Sequence, residues 1–309
     1  MTRILCIGEA MAEIRREGAG FAVGFAGDTF NTAVYCRRRL KRGSVGYQTR
    51  IGTDPFSGAF MNLANAERLD LSAIRSDPAH NIGIYSVQTD AADERSFACW
   101  RSMSAARSLF QRAEDFAAPT NADILYLSGI TLAILTPAAR AALMTSLAEL
   151  RVAGRRVAFD SNDRPQLRCD AGTARQAIAE AWALTDIALP SVDDEMALFG
   201  DANAAQVLER LRGLGVVAGA LKCGALAMEP GVAPQTFPRA NRVVDTTATG
   251  DSFNGGFLAA WAEGADTSQA MLVGHDLARM GGPPSDRRAG AGGGPIRIPG
   301  PPRSREPWR

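Results

Sequence analysis

At 309 residues, with a formal net charge of +1, 46% hydrophobic and 22% charged residues, the chain has the length of one large α/β domain or two ordinary ones and the balance of a globular protein. Near-neutral charge gives no reason to expect nucleic acid or an anionic membrane as partner, and no apolar run reaches the roughly 18 residues of a spanning helix. Five scattered cysteines (Cys6, Cys36, Cys99, Cys169, Cys223) with no Cys-x-x-Cys pair, and only two histidines, argue against zinc or a disulfide framework and suit small buried hydrophobes in a reducing cytoplasm. The N-terminus lacks a basic region followed by a long apolar run, so no signal peptide is expected.

In chain order, strand-like runs at 3–8, 45–51, 123–128, 156–160, 186–190 and 217–222 alternate with helical patterns at 28–40, 56–66, 137–153, 172–183, 192–199 and 204–214, followed by helices 250–264 and 267–279. Such alternation predicts a mostly parallel sheet covered by helices on both faces, with ligands beyond the carboxyl ends of the strands. Residues 12–25 and 82–101 break the rhythm as short strands with polar turns. They read as a small β-sheet lid over a substrate or, alternatively, as solvated hairpins. The chain from 1 to 280 reads as one domain. Beyond it, residues 281–309 hold seven Gly, seven Pro and six Arg against two acids, a tail that cannot bury a core and is expected to be irregular or disordered. GC-rich codons read out of frame would yield such a tail. It is expected to make few contacts with the core and to leave the adenine side of a nucleotide site incomplete.

The most informative stretch is Val244-Asp245-Thr246-Thr247-Ala248-Thr249-Gly250-Asp251-Ser252-Phe253-Asn254-Gly255-Gly256-Phe257. A short turn leads into an apolar helix, whose first N–H groups have no intrahelical partner and suit a phosphate. Asp251 in that turn is placed to take a proton from an attacking hydroxyl, although an acid there also fits a simple helix cap. An anion cradle beside a base is the minimum machinery of phosphoryl transfer.

Asp-Thr-Thr-x-x-Gly-Asp-Ser-Phe resembles the C-terminal signature of the PfkB/ribokinase family of sugar kinases. Ala248-Thr249 stand where Gly-Ala is commoner, which demands φ below zero at both positions unless strain is accepted. The likeness extends over roughly residues 3–279, and within the family it is nearest the 2-keto-3-deoxygluconate kinases. Gly8-Glu9-Ala10-Met11-Ala12-Glu13 resembles their first strand and turn. Gly27-Asp28-Thr29-Phe30-Asn31-Thr32-Ala33 resembles a Gly-Gly-Asp-x-x-Asn-x-Ala motif, with Ala26 at the first Gly; Asp28 also fits as the cap of the following helix. Tyr85, Trp100 and Arg101 match lid positions that contact a keto-acid. Phe159-Asp160-Ser161-Asn162-Asp163-Arg164-Pro165 resembles an Asp-x-Asn-x-Arg-Pro strand end.

The resemblance therefore implies a ribokinase-like three-layer α/β sandwich with a small lid, and ATP-dependent phosphorylation of the terminal hydroxyl of a sugar acid. Asp251 would be the base, Ala248, Thr249 and Gly250 the anion hole. Gly27, Asp28, Asn31, Tyr85, Trp100, Arg101 and Arg164 would bind the substrate. Asn162, Ser191, Lys222, Gly224 and Gly250 would bind nucleotide. Leu189-Pro190-Ser191-Val192-Asp193-Asp194-Glu195 occupies the place of the family's Asn-x-x-Glu motif, so that either Asp194 or Glu195 would serve Mg²⁺ through water; both also fit as first-turn acids favoured by the helix dipole. A monovalent cation such as K⁺ near 245–250, and self-association through the lid into a homo-oligomer, are further implications. Related kinases of fructose, ribose or nucleosides, and a non-catalytic binding homologue, are the alternatives.

Overall fold

A computed structural model describes residues 1–18, 20–89, 95–167, 170–222, 226–234, 236–237, 248–279 and 296–298. Eight strands form the larger sheet: β1 (Arg3–Ile7), β4 (Ser44–Ile51), β5 (Ile74–Ser76), β8 (Ile124–Ser128), β9 (Arg156–Asp160), β10 (Ile187–Ala188), β11 (Ala218–Leu221) and β12 (Leu226–Ala227). Their order is β12-β11-β10-β9-β8-β1-β4-β5, and every pairing is parallel except the terminal β11–β12 pair. The helices are α1 (Asp28–Arg39), α2 (Pro55–Ala66), α3 (Gly129–Ile134), α4 (Pro137–Val152), α5 (Ala171–Ala183), α6 (Val192–Phe199), α7 (Ala204–Gly213), α8 (Thr249–Ala262) and α9 (Thr267–Arg279).

Strand residues alternate between two cores. Ile4, Cys6, Val45, Tyr47, Ile124 and Tyr126 face the layer of α1, α2, α8 and α9, where Phe30, Phe60 and Phe257 are buried. Leu5, Ile7, Leu125, Leu127, Val157 and Phe159 face α4, α5, α6 and α7, where Leu143, Trp182 and Leu211 are buried. Because both faces are covered, β1 and β8 are apolar at successive positions rather than alternating, as a doubly covered parallel strand requires. Local chemistry sets the helix starts. Asp54, Thr136, Asp170, Ser191 and Asn203 each accept a hydrogen bond from a first-turn N–H, and Pro55 and Pro137 stand at positions where a missing N–H costs nothing.

The second sheet has five strands in the order β13-β3-β2-β6-β7: β2 (Met11–Glu17), β3 (Gly20–Ala26), β6 (Gly83–Thr89), β7 (Arg95–Trp100) and β13 (Ile296–Ile298). The stretches around 12–25 and 82–101 thus meet as two antiparallel hairpins joined by the parallel β2–β6 pair. Of the tail, only Ile296–Ile298 is described. At these three residues the chain is a strand, antiparallel to β3 with Arg297 opposite Ala22, rather than irregular. Among the described residues no helix is long and apolar enough to cross a membrane. Cys6 and Cys36 are buried free thiols, whereas Cys99, on the edge strand β7, is exposed and not the buried hydrophobe expected; Cys169 and Cys223 lie outside the described residues.

Candidate active site

The carboxyl ends of β1, β9, β10 and β11 open toward the N-terminus of α8. Asp251 lies in the first turn of this 14-residue helix, and the residue before the helix is Ala248. Asp251 is therefore not the cap. Ala248 takes the left-handed conformation, φ 62° and ψ 13°, so the strained alternative anticipated for Ala248-Thr249 is the one adopted. The αL kink turns the chain so that the N–H groups of the first turn, which no helical carbonyl can reach, point out of the helix end. Gly250 lies against the Lys222 ammonium: a Cβ there would be 3.7 Å from Nζ.

Asn31, from α1, donates its amide to Asp251 Oδ2 at 2.9 Å, and Thr32 Oγ1 donates to the Asp251 carbonyl at 3.3 Å. Part of Asp251 still meets solvent, yet its carboxyl lies deep enough that burial, and then the neighbouring Asp28 charge, push its pKa from 3.8 up to about 7. The Asn31 amide and Lys222 oppose that rise, and Asp160 adds to it. Asp28 does not cap α1, whose preceding residue is Gly27 with no side-chain bond; its carboxylate instead accepts from Asn162 Nδ2 at 2.9 Å. Gly27 is required by a close approach, since a Cβ would sit 2.2 Å from the Glu9 carbonyl oxygen.

Beneath Asp251 runs a buried polar chain. Lys222 pairs with Asp160 and donates to Asn254 Oδ1 at 3.3 Å; Asn254 Nδ2 donates to Asp160 at 2.7 Å and to the Tyr126 hydroxyl at 2.9 Å. Thr32 Oγ1 lies 3.5 Å from the same hydroxyl, closing the chain back toward Asp251. Asn254, Asp160 and Tyr126 had not been singled out. The available signal was spacing: Asn254 follows Asp251 by three residues on one helix face, and Asp160 ends a strand whose next residues were already of interest.

Of the three acids in the first turn of α6, the two metal candidates Asp194 and Glu195 separate. Burial raises the Asp194 pKa against the pull of the Ser191 hydroxyl and of Arg164 and Lys222, so Asp194 shares the electrostatic surroundings of the cleft. Glu195 is fully buried and accepts from Arg210 Nη2 at 2.7 Å, and Arg210 also holds Asp201 at 2.6 Å. Arg210 thus occupies Glu195 Oε2, whereas Asp194 makes no ion pair among the described residues. Ser191 caps α6, accepting from the Asp194 N–H at 3.3 Å, and Ser191 and Lys222 are bridged as parallel partners. Arg164 is exposed, donating to its neighbour's carbonyl at 3.0 Å. Gly224 lies outside the described residues, as do positions 245–247 of the expected cation turn.

On the lid, Tyr85 donates its hydroxyl to Glu13, and its ring lies 6.3 Å from Phe97. Arg101 pairs with the buried Glu9. Trp100, next to it, is 61% exposed. Burial and Glu13 hold the Tyr85 phenol well above its ordinary pKa, so it is protonated at neutral pH; Asp251 adds to the shift, placing the lid tyrosine within electrostatic reach of the base.

Across the described residues no group of three or more His, Cys, Asp or Glu could hold a metal by itself.

A helix-borne acid beside a first-turn anion cradle, at the carboxyl ends of a parallel sheet, defines a phosphotransfer site, and the chain belongs to the pfkB family of carbohydrate kinases, whose pattern it matches over residues 1–280. It is 40% identical over 290 residues to the 2-dehydro-3-deoxygluconokinase of Dickeya dadantii (strain 3937), covering 88% of this chain and 92% of that one. It is 36% identical over 285 residues to the enzyme of the same name from Escherichia coli (strain K12), with the same coverage. Among solved structures, a PfkB protein from Polaromonas sp. JS666 superposes with a TM-score of 0.78 at 26% identity, over 90% of this chain and 95% of that one. The 2-dehydro-3-deoxygluconokinase of Thermotoga maritima has a TM-score of 0.78 at 17% identity, over 90% of this chain and 92% of that one, a likeness of fold.

Proposed function

We propose that this chain is a 2-keto-3-deoxygluconate kinase, transferring the γ-phosphoryl group of ATP to the terminal hydroxyl and giving the 6-phosphate. The observation that carries the chemistry is Asp251, held by Asn31 at the N-terminus of α8 with a pKa near neutrality. Asp251 takes the hydroxyl proton as that oxygen bonds to the γ-phosphorus. The bond to the β-phosphate oxygen breaks, and ADP leaves with the electron pair. The first-turn N–H groups at Ala248, Thr249 and Gly250 face the charge spread over the transferred group, which is where preorganised donors act most strongly. The Lys222 ammonium, against Gly250, adds positive charge to the same cradle.

The acid end of the substrate is assigned to Arg101 and Arg164, whose guanidinium groups suit a carboxylate. Gly27, Asp28, Asn31 and Tyr85 would hold its hydroxyls and Trp100 would cover its carbon chain. Asn162, Ser191, Lys222, Gly224 and Gly250 are assigned to the nucleotide. Mg²⁺, when bound, would neutralise phosphate charge, and Asp194 would hold its water shell. A K⁺ near the 245–250 turn, a homo-oligomer formed through the lid and a cytoplasmic location complete the reading.

The principal rival is the same chemistry on a neutral sugar; the fructokinase of Klebsiella pneumoniae is 28% identical over 283 residues. A coupled ADP-release assay across sugar acids, fructose, ribose and nucleosides decides between them. Turnover with 2-keto-3-deoxygluconate well above that with every neutral sugar is the expected outcome; preference for fructose or ribose would overturn the substrate assignment, and no turnover with any of them would overturn catalysis.

A further inference from the structure

Two acids, Glu9 in the turn after β1 and Glu13 in β2, hold the two residues of the second sheet assigned to the substrate, Arg101 and Tyr85. Glu9 and Glu13 are nearly fully buried, 2% and 3% exposed, and neither has a part in the phosphoryl chemistry. Glu9 Oε2 accepts from Arg101 Nη2, and Glu13 Oε2 accepts the Tyr85 hydroxyl proton. Glu13 and Tyr85 are register partners in the parallel β2–β6 pair, so the lid pairing itself brings the carboxylate to the phenol. Arg15 flanks Glu13 at 3.3 Å.

The space around Glu9 is built for it. A Cβ on Gly83 would come within 2.7 Å of Glu9 Oε1, and one on Gly27 within 2.2 Å of the Glu9 carbonyl oxygen. Glu9 Oε1 and Arg101 Nε are both buried without a hydrogen-bond partner among the described residues, a cost that a purely structural ion pair would be expected to relieve. The pair is instead held with one bond, which fixes the guanidinium while leaving its remaining donors uncommitted to Glu9.

We propose that Glu9 and Glu13 are positioning residues of the sugar-acid end of the cleft, Glu9 orienting Arg101 toward the substrate carboxylate and Glu13 accepting the Tyr85 hydroxyl hydrogen bond so that the phenol oxygen is left to accept from a substrate hydroxyl. This deepens the sugar-acid reading above and rests on it. The direction of the Tyr85 hydrogen bond is the specific content: a phenol already donating to a carboxylate has only acceptor capacity left for a ligand. Keto-acid discrimination then depends on a carboxylate at 9 keeping Arg101 fixed, and hydroxyl recognition on a carboxylate at 13.

The test is steady-state kinetics with 2-keto-3-deoxygluconate and with fructose on the wild type, Glu9→Gln, Glu13→Gln, Tyr85→Phe and Arg101→Ala, and on the doubles Glu13→Gln/Tyr85→Phe and Glu9→Gln/Arg101→Ala. Each glutamine variant is expected to raise the keto-acid KM about 10-fold, with the ATP KM within about twofold. Each double is expected to be no worse than its lid single, because both changes remove one contact. Glu9→Gln is also expected to lower the preference for the acid over fructose. Glu9→Asp and Glu13→Asp, which keep the charge but shorten its reach, guard against a glutamine variant that fails to fold; they should show smaller rises in the same constant. Unchanged keto-acid KM, or equal losses in ATP KM, kcat and melting temperature, would overturn the positioning role while leaving the substrate reading intact. A wild type that phosphorylates fructose but not the keto acid would overturn the reading and the inference together.

Discussion

At the scale of single residues, the balance around Asp251 decides function. Its carboxyl is raised to about 7 by burial and by Asp28, so it is half-ionised near neutrality. Activity in the free enzyme should therefore climb as pH rises through about 7, and Asp251→Asn should abolish that limb while lowering kcat by roughly 10²–10⁴. A turnover within threefold of wild type would remove Asp251 from the base role. The stability consequence has the opposite direction. A carboxyl whose folded pKa lies above its unfolded 3.8 stabilises fully below about pH 4, and that contribution is lost as pH rises through 7. The melting-temperature gain of Asp251→Asn over wild type should accordingly be small at pH 4, grow to pH 7 and level off above it.

Ala248 is the second residue-scale feature. An L-residue in the left-handed region costs about 1 kcal/mol that glycine avoids, so Ala248→Gly should raise unfolding free energy by about that amount in urea denaturation. For the acid subsite, Arg101→Ala and Arg164→Ala should weaken the keto acid by roughly 10- to 150-fold while sparing ATP, the range of a charge-assisted pair, as read by separate KM measurements.

At the scale of elements, α8 is the organising piece. Its glycines let neighbours approach: a Cβ on Gly255 would meet Thr32 O and Tyr35 Cβ at 2.7 Å on α1, and one on Gly256 would meet Gly274 Cα at 2.9 Å on α9. Because α1 carries both Asn31 and Thr32, pushing α1 away from α8 also pulls on Asp251. Gly255→Ala should therefore cost about 1–3 kcal/mol in denaturant unfolding and lower kcat as well. A variant destabilised but with full kcat would show that the α1–α8 spacing does not set the base. The helix borders were legible beforehand because their signals are local: Ser191 ahead of Val192, Asp170 ahead of Ala171, Pro at 55 and 137. Short pieces such as β5, α3 and β12 were not legible, since two to six residues carry too little periodicity to stand out.

At the scale of the molecule, one sheet separates two cores. Phe257 is buried on one face and Trp182, edge-on to Phe159 at 4.8 Å, on the other. Phe257→Ala and Trp182→Ala should each destabilise by about 3–5 kcal/mol, and their effects should add within about 0.5 kcal/mol, because the two side chains are buried in separate clusters. Strong non-additivity in chemical denaturation would contradict two separate cores. The second sheet stands apart from this arrangement; the Tyr85–Glu13 bond lies within it, between β6 and β2, and Arg101 ties its β7 end to Glu9 in the turn after β1.

The sequence by itself determined the alternation of strands and helices, the turn at 248–251, and Asp251 as its acid, because hydrophobic period, caps and a chemically dense short motif are local properties. It also marked Asn31, Tyr85, Arg101 and Lys222 as residues of interest. Only the tertiary structure decided who touches whom. It gave Glu195 to Arg210, ruled out the alternative of Asp28 as a helix cap by pairing it with Asn162, and threaded Asn254, Asp160 and Tyr126 beneath Asp251. It also paired Glu9 with Arg101 and Glu13 with Tyr85. These partners lie up to 220 residues apart in the chain, as Asn31 and Asp251 do. The physical reason is that a hydrogen bond or a shifted pKa depends on distance and burial in space, and chain folding, rather than local pattern, fixes both.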